Sequence, residues 1–591
     1  MNSRVTTARR LALTLFAVVA IVGLFVVKLV DIQVVRAAEL TAAAEERRSS
    51  SVRLLGSRGE IVDANGTVLA DSVDRFDITA SPRRVRDVTE IRRDGERVEV
   101  PTTEAVAELA ALTGTPAADI YAALTADPAS DFTYLVKSVT LETFTAVFDL
   151  GISWVYSELR PSRTYPRGAI AGNLVGFLGT DGPLAGTELR HQECLEPTQG
   201  SATFERSADG VRLPGSLVVT EEPADGGTVH LTIDADLQWF AQQRLAEQAA
   251  VVGADWGTAM VVRVATGEIV TAADWPSIDP NDLDSVSADN SGARSFVAPF
   301  EPGSIMKPVA FAALLDQGAI AADTQLVVPG RYTNGLPPGE DITDVWSHGD
   351  LRMTATGVLM NSSNIGTVML SERLSLTQRY HYLRAFGFGS PTAVSFLGEH
   401  VEGNHGRVFT PEEIDSVSAA TQMFGQGITA TSAQMASLYQ TLGNGGVKMP
   451  LTLVSGCESP DGTWTDVPVP DGERVVSEYA ADTTVNMMET VATQGALRNV
   501  ISIPGYRIAA KTGTGEVAEN GRYGSERIVS LAGLVPADDP EYAIVVTLAK
   551  PDTMKSSAAA APVFNAIMEQ VIKTFRVTPS TEPAPDLPLT W

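Results

Sequence analysis

The run Leu11–Val30, LALTLFAVVAIVGLFVVKLV, is apolar apart from Thr14 and Lys28, and it constrains the chain more than any other stretch. A helix of about 20 residues rises about 30 Å, the thickness of a bilayer's hydrocarbon core, so the run reads as a membrane span. Arg4, Arg9 and Arg10 precede it. By the positive-inside rule this predicts a cytoplasmic N-terminus (1–8), a single-pass anchor (9–32) in the cell membrane, and an extracytoplasmic remainder. A cleaved signal peptide would have an apolar core of only about 7–15 residues with a small-residue cleavage site behind it. Lys28-Leu29-Val30-Asp31 stands there instead, and an uncleaved anchor is expected.

A chain of 591 residues has room for two or three domains with real cores. Its 44 Lys+Arg against 72 Asp+Glu give a formal net charge of −28, which repels polyanions and argues against nucleic-acid partners. Arg83, Arg84, Arg86, Arg92 and Arg93 are interleaved with acids and read as solvated faces. Cys194 and Cys457 lie far apart, and the six histidines form no His-Glu-x-x-His. No metal or other cofactor is expected. For the cysteines, two free thiols are favoured over a single extracytoplasmic disulfide.

The pattern along the chain is α+β and multidomain. Leu40–Arg48, rich in Ala and Glu, reads as a helical stalk. Residues 33–225 follow as a mixed α/β pedestal. In it, Arg58–Ala70 carries alternating apolar residues around Asn65-Gly66, a strong hairpin signal. Thr102–Ala126 reads as helices broken at Thr115-Pro116. No nucleophile, base or metal cluster assembles there. From residue 226 to 576, a strand (Val229–Ile233) and a helix (Asp236–Ala250) lead into a hairpin (Trp256–Val264, Ile269–Ala273). Leu351–Leu359 and Ile365–Arg373 have helical spacing. Three apolar strands follow (Arg507–Thr514, Val529–Val535, Tyr542–Leu548), then an amphipathic helix (Ala558–Phe575), which suggests one sheet built from both ends of the segment. Residues 577–591 contain four prolines and no period, and are expected to be a disordered tail.

Chemistry concentrates at Phe300–Pro308, FEPGSIMKP, where Pro302-Gly303 opens a helix and Ser304 and Lys307, three apart, share a face. A serine needs a base to become a nucleophile, and a neutral lysine within hydrogen-bond reach can serve. Two further short motifs follow in order, Ser362-Ser363-Asn364 on a turn between helices and Lys511-Thr512-Gly513-Thr514 on a strand. Each has a bland alternative by itself: Asn364 a helix cap, Ser362 a turn residue, Lys511 a charge that guards a sheet edge.

Together, and in this order, the three motifs mark serine β-lactamases and penicillin-binding proteins, and the chain resembles a class B penicillin-binding protein. The resemblance runs through R-G-x-I-x-D-x-N-G-x-x-L-A at Arg58–Ala70, R-x-Y-P-x-G at Arg163–Gly168, Leu231-Thr232-Ile233-Asp234, Phe424-Gly425-Gln426-Gly427-Ile428 and Asn444-Gly445-Gly446. It departs after Gly186-Thr187-Glu188, where the family's tyrosine and aspartate are replaced by His191 and Gln192.

The resemblance implies an elongated pedestal and a serine transpeptidase/β-lactamase-like domain, with an antiparallel sheet flanked by helices and a helical subdomain. It also implies Ser304 as the nucleophile acylated by a stem peptide ending in D-alanyl-D-alanine, or by a β-lactam. Lys307 is then the base, Ser362 a proton relay, and Asn364 a holder of substrate and lysine. Lys511, Thr512 and Thr514 would take the terminal carboxylate. The backbone N–H groups of Ser304 and Thr514 would form the oxyanion hole, and Gly513 would leave the strand edge open to substrate. To act as a base Lys307 must titrate near 7 instead of about 10.4, a difference worth about 4 kcal/mol, to which burial and the Lys511 charge would contribute.

The pedestal lacks the paired carboxylates of a glycan polymerase, so a monofunctional crosslinking enzyme is implied, partnered by a membrane glycosyltransferase and other division proteins. The likeness is nearest to septal transpeptidases. The alternatives are an elongation-type transpeptidase, a D,D-carboxypeptidase or β-lactamase, and a β-lactam sensor.

Overall fold

The computed structural model describes residues 2–40, 49–179, 181–205, 215–285, 292–519 and 522–591; the expected stalk lies outside these from residue 41 onward. Helix α1 (Asn2–Val30) continues as a short π-helical turn, Asp31–Val35. Among the described residues one helix is long and apolar enough to cross a membrane, Ala8–Val35, and none of its apolar surface is buried by protein. An all-round apolar helix without protein cover is what lipid accommodates.

Two compact units follow from the packing. The first combines Met1–Ser57 with Pro197–Asp225, and its sheet pairs Ser49–Leu54, Gly200–Glu205 and Val218–Glu221.

The second unit, Arg58–Glu196 with Gly226–Trp591, contains everything else. The Asn65-Gly66 turn forms as its sequence predicts: Gly66 has φ +81°, and the Asp63 carboxylate accepts the N–H groups of Asn65 and Thr67. The strands it joins, Ile61–Val62 and Val68–Val73, belong to a six-stranded sheet that also holds Thr228–Leu231 and Val454–Glu458. There Val229 stands opposite both Ile61 and Cys457. Gly227 N–H donates to the Cys194 carbonyl, 2.7 Å away. These pairings bring the two sulfurs together, and Cys194–Cys457 is a disulfide closing 263 residues of sequence, which corrects the expectation of free thiols. A smaller core gathers Ile78, Leu109, Ile120 and Trp154 beneath the helices Thr102–Thr113 and Ala117–Ala126.

A five-stranded sheet positions the chemistry. In chain order its surroundings are α2 (Ala235–Val252), β1 (Trp256–Arg263), β2 (Ile269–Trp275), α3 (Lys307–Asp316), α4 (Ala355–Asn361), α5 (Asn364–Ser371), α6 (Ser432–Gly443), α7 (Glu478–Gln494), β3 (Ala509–Glu519), β4 (Arg522–Val535), β5 (Tyr542–Ala549) and α8 (Ala561–Phe575). The strand order is β2-β1-β5-β4-β3, antiparallel throughout, with β3 at an edge. Alternate residues serve opposite faces, as a pleated strand requires. Ala259, Val261, Ile544 and Val546 pack with α2 and α8. Met260, Val262, Ala543 and Val545 pack with α3, α6 and α7. Helix α3 is buried from Lys307 to Leu315.

Two expectations fail here. Leu351–Thr354 is a strand, antiparallel to Gln325–Val328, and the helix begins only at Ala355, with the Thr354 hydroxyl accepting the Gly357 N–H. Leu351 and Met353 alternate in the strand sense, but Leu351, Ala355, Val358 and Leu359 also fit a helical period, so spacing alone misleads. The tail is docked, not disordered. Thr354 donates its N–H to the Leu589 carbonyl and its hydroxyl to that of Pro588. Thr590 bridges to Met353, and Trp591 donates to the Leu326 carbonyl while stacking under Arg352. Backbone carbonyls and one terminal aromatic hold a segment whose side-chain pattern gives no sign of it.

Candidate active site

Ser304 stands in a 3-10 turn, Gly303–Met306, and Lys307 begins α3. Gly303 has φ +56° and donates its N–H to the Gly425 carbonyl at 2.9 Å, which explains why Phe424-Gly425-Gln426-Gly427 accompanies the serine motif. A Cβ on Gly303 would lie 2.6 Å from the Thr514 carbonyl oxygen, and one on Gly513 would lie 2.7 Å from Ile305 Cγ2. The absent side chains let β3 press directly on the Ser304 turn. That close approach, rather than an open strand edge alone, is what demands glycine at 513. Behind the turn the buried Tyr439 hydroxyl donates to the Ile305 carbonyl at 2.8 Å.

Both lysines are fully buried. Lys307 Nζ donates to the Ser362 carbonyl at 2.5 Å and to Asn364 Oδ1 at 2.8 Å, with Ser362 Oγ at 3.3 Å. Lys511 Nζ donates to the same Ser362 Oγ at 2.8 Å and to the Thr512 carbonyl at 2.9 Å. The Ser362 hydroxyl therefore sits between two amines. Burial holds Lys307 well below the ordinary lysine range; the Lys511 charge pushes the same way, and Asp344 opposes it. Burial pulls Lys511 down to about 7. An amine that loses its proton near neutrality can accept one from a hydroxyl.

The turn between α4 and α5 holds the other side. Ser362 has φ +59°, in the left-handed region. Ser363, not Asn364, is the helix cap, its hydroxyl accepting the Gly366 N–H, so the Asn364 amide is free to face Lys307. Lys511 is not a solvent-facing edge charge either.

Ser304, Ser362, Asn364, Thr512, Gly513 and Thr514 line one cleft of about 280 Å³, and the two lysines lie beneath its floor. Val345, Trp346, Phe424, Gln426, Ser556 and Ser557 are also part of the wall. Asp344, adjoining that wall, is absent from the sequence reading. Its carboxylate accepts from the Ser363 hydroxyl at 2.7 Å, from the Asn364 and Ile365 N–H groups, and from His348. No motif spacing ties residue 344 to residue 363.

A cleft-lining serine, a suppressed amine, a shared hydroxyl and an adjoining strand edge suit acyl transfer to serine. Residues 257–569 match the penicillin binding protein transpeptidase domain, and residues 53–231 the penicillin-binding protein dimerisation domain. The chain is 33% identical to penicillin-binding protein PbpB of Mycolicibacterium smegmatis, over 97% of this chain and 91% of that one. It is 31% identical to peptidoglycan D,D-transpeptidase FtsI of Escherichia coli, over 88% and 84% respectively. Penicillin binding protein 3 of Mycobacterium tuberculosis, solved in complex with ampicillin, superposes with a TM-score of 0.69 at 28% identity, over 91% of this chain and 100% of that one. The chain belongs to the family of penicillin-binding proteins that carry this dimerisation and this transpeptidase domain.

Proposed function

We propose that this chain is a peptidoglycan D,D-transpeptidase of septal wall synthesis, working through a Ser304 acyl-enzyme. The observation that carries the reading is the Ser362 hydroxyl held between two buried amines at 3.3 and 2.8 Å, in the cleft that Ser304 lines. Ser304 Oγ attacks the carbonyl of the penultimate D-alanine while Lys307 Nζ takes its proton. The bond to the terminal D-alanine breaks, and the proton passes by way of Ser362 to the leaving amine. An amine of a second stem peptide then attacks the ester, forming the crosslinking amide and returning the proton to Ser304. The Ser304 and Thr514 N–H groups face the developing oxyanion. Lys511, Thr512 and Thr514 hold the substrate carboxylate, Asn364 its amide, and β3 accepts the peptide as an added strand. The septal assignment draws on the likeness to FtsI.

The same reading gives α1 as the membrane anchor, N-terminus inward and catalytic unit outward, a compartment in which the Cys194–Cys457 disulfide persists. Its partners are a membrane glycosyltransferase and division proteins, and β-lactams acylate Ser304 as substrate mimics.

Detergent-solubilised full-length protein should be labelled covalently by fluorescent penicillin, and Ser304→Ala should not; labelling that persists in the alanine variant overturns the assignment. With a stem peptide and an amine acceptor, crosslinked product is expected beside free D-alanine. D-alanine release without it marks a carboxypeptidase. A fluorescent fusion should gather at midcell, and a lateral-wall distribution refutes the septal role.

A further inference from the structure

The Ser362–Asn364 turn must hold two side chains and a carbonyl on Lys307 while its first residue occupies the left-handed region, where a non-glycine residue is disfavoured. Something outside the turn has to fix it. Asp344, whose side chain is fully buried, accepts on one oxygen the N–H groups of Asn364 and Ile365, at 2.5 and 3.1 Å. On the other it accepts the Ser363 hydroxyl at 2.7 Å and His348 Nε2 at 3.0 Å. The His348 side chain is itself almost fully buried. Its Nδ1 faces the Gly349 carbonyl at 2.6 Å, so both ring nitrogens point at oxygen acceptors, and its ring packs against Trp346. A second tie runs from the Asn364 amide to the Thr343 carbonyl at 3.2 Å.

We propose that Asp344, oriented by His348, is a positioning residue for acyl transfer that fixes the Ser362–Asn364 turn against Lys307. The inference rests on the acyl-transfer reading of the cleft. Each acceptor site of the carboxylate meets a donor on the turn or on its orienting partner, so rotation of the turn would break several bonds at once. Asp344 touches neither Ser304 nor the cleft's cavity; it acts through Asn364 and Ser363. It also acts through charge. The charged groups around Lys307 are Lys511 on β3 and Asp344, paired with His348, on the loop before α4. A carboxylate there favours the protonated amine, and its removal favours the neutral base.

The test uses full-length protein in detergent, stopped-flow acylation by fluorescent penicillin from pH 5 to 9, and thermal unfolding of each variant. Asp344→Asn should slow the acylation step about 10- to 100-fold, the scale of a misplacement near 1 Å, while penicillin's dissociation constant changes only about threefold or less. The acid limb of its rate profile should move to lower pH. His348→Gln should slow acylation less, by about 3- to 10-fold, with the limb nearly in place because the Asp344 charge remains. A wild-type rate in Asp344→Asn overturns the proposal. So does a loss that matches the unfolded fraction with an unmoved limb, since that marks a merely structural residue. If Asp344→Asn does not fold, His348→Gln decides alone: a wild-type rate in that folded variant refutes the pair. Failure of the wild-type protein to label at Ser304 instead refutes the acyl-transfer reading.

Discussion

Two places in the second unit bury charge-bearing side chains without exposing them, and they do so in opposite ways. In the pedestal segment Glu188, fully buried, meets Arg58 Nε at 2.7 Å and Arg163 Nε at 2.6 Å, and its backbone carbonyl takes another Arg58 nitrogen. Gln192, where the family pattern departs, accepts from Arg58 at 2.6 Å, and Arg163 also donates to the Gly59 carbonyl. Opposite charges and fixed acceptors pair, with only Arg163 Nη2 left without a partner among the described residues, so the cluster holds strands and helices in register. In the cleft Lys307 and Lys511 are equally buried, but like charges face each other and, among the described residues, neither has a directly bonded carboxylate. The energy that pairing would have released is absent, and the proton on Lys307 is easily given up. Burial with pairing yields structure; burial without it yields an amine that gives up its proton readily.

Replacing Lys307 with methionine is the most direct way to break this contrast. Acylation by penicillin should fall about 10²- to 10⁴-fold, the usual contribution of general-base catalysis. Thermal stability should hold or rise, because an apolar side chain of similar volume replaces a frustrated amine. A marked drop in melting temperature would mean that the lysine is a structural tie like the arginines. Glu188→Gln probes the other cluster and should reverse the pattern. It leaves two buried guanidinium groups short of a counter-charge and should destabilise by about 3–5 kcal/mol in denaturant unfolding. Acylation per folded molecule should be unchanged.

The pH dependence of stability sharpens the comparison further. Lys511 titrates at about 7 in the folded protein and at about 10.4 when unfolded. Between these values the unfolded chain binds more protons, so stability should rise as pH increases from about 7 towards 10, by a few kcal/mol at most. Below 7 both states carry the proton and this contribution is flat. In Lys511→Met the rise should shrink, as measured by denaturant midpoints at pH 7 and 9. An unchanged slope would assign it to other groups.

The chemistry was more legible than its support, for a physical reason. Ser304 and Lys307 share one turn of chain, and the Ser362 and Lys511 motifs are each three or four residues long, so their residue types and local elements are readable in place. The strands β3, β4 and β5 announce themselves by apolar runs. Asp344 gives no such signal, because its work is done on residues about 20 positions away through a fold of the loop. The Cys194–Cys457 bond depends on Val229 pairing with strands from two distant segments, one parallel and one antiparallel. The tail escapes for a third reason. It attaches through the carbonyls of Pro588 and Leu589, and backbone groups are the same in every sequence.

That tail supplies the smallest expected effect and the finest distinction between the two clusters. Pro588–Trp591 bond to Met353, Thr354 and Leu326, at the base of the helix whose far end carries Ser362. A Cβ on Gly357 would lie 1.9 Å from the Leu589 carbonyl oxygen, so tail and helix are in the closest contact a glycine permits. Ending the chain after Leu587 removes a few backbone bonds, each worth about 1 kcal/mol net. Melting should fall by a few degrees, since about 1 kcal/mol shifts a domain of this size by about 2–4 °C. Acylation should slow about 3- to 10-fold, because Ser362 must keep both amines within reach and its helix has lost an abutment. Among the described residues the Glu188 cluster has no bond to these elements, so the cost of Glu188→Gln should be the same in truncated and full-length protein, whereas the effects of truncation and Asp344→Asn should not add. Additivity at both places would show that the tail steadies the domain as a whole; additivity only at Glu188 would show that it bears on the Ser362–Asn364 turn.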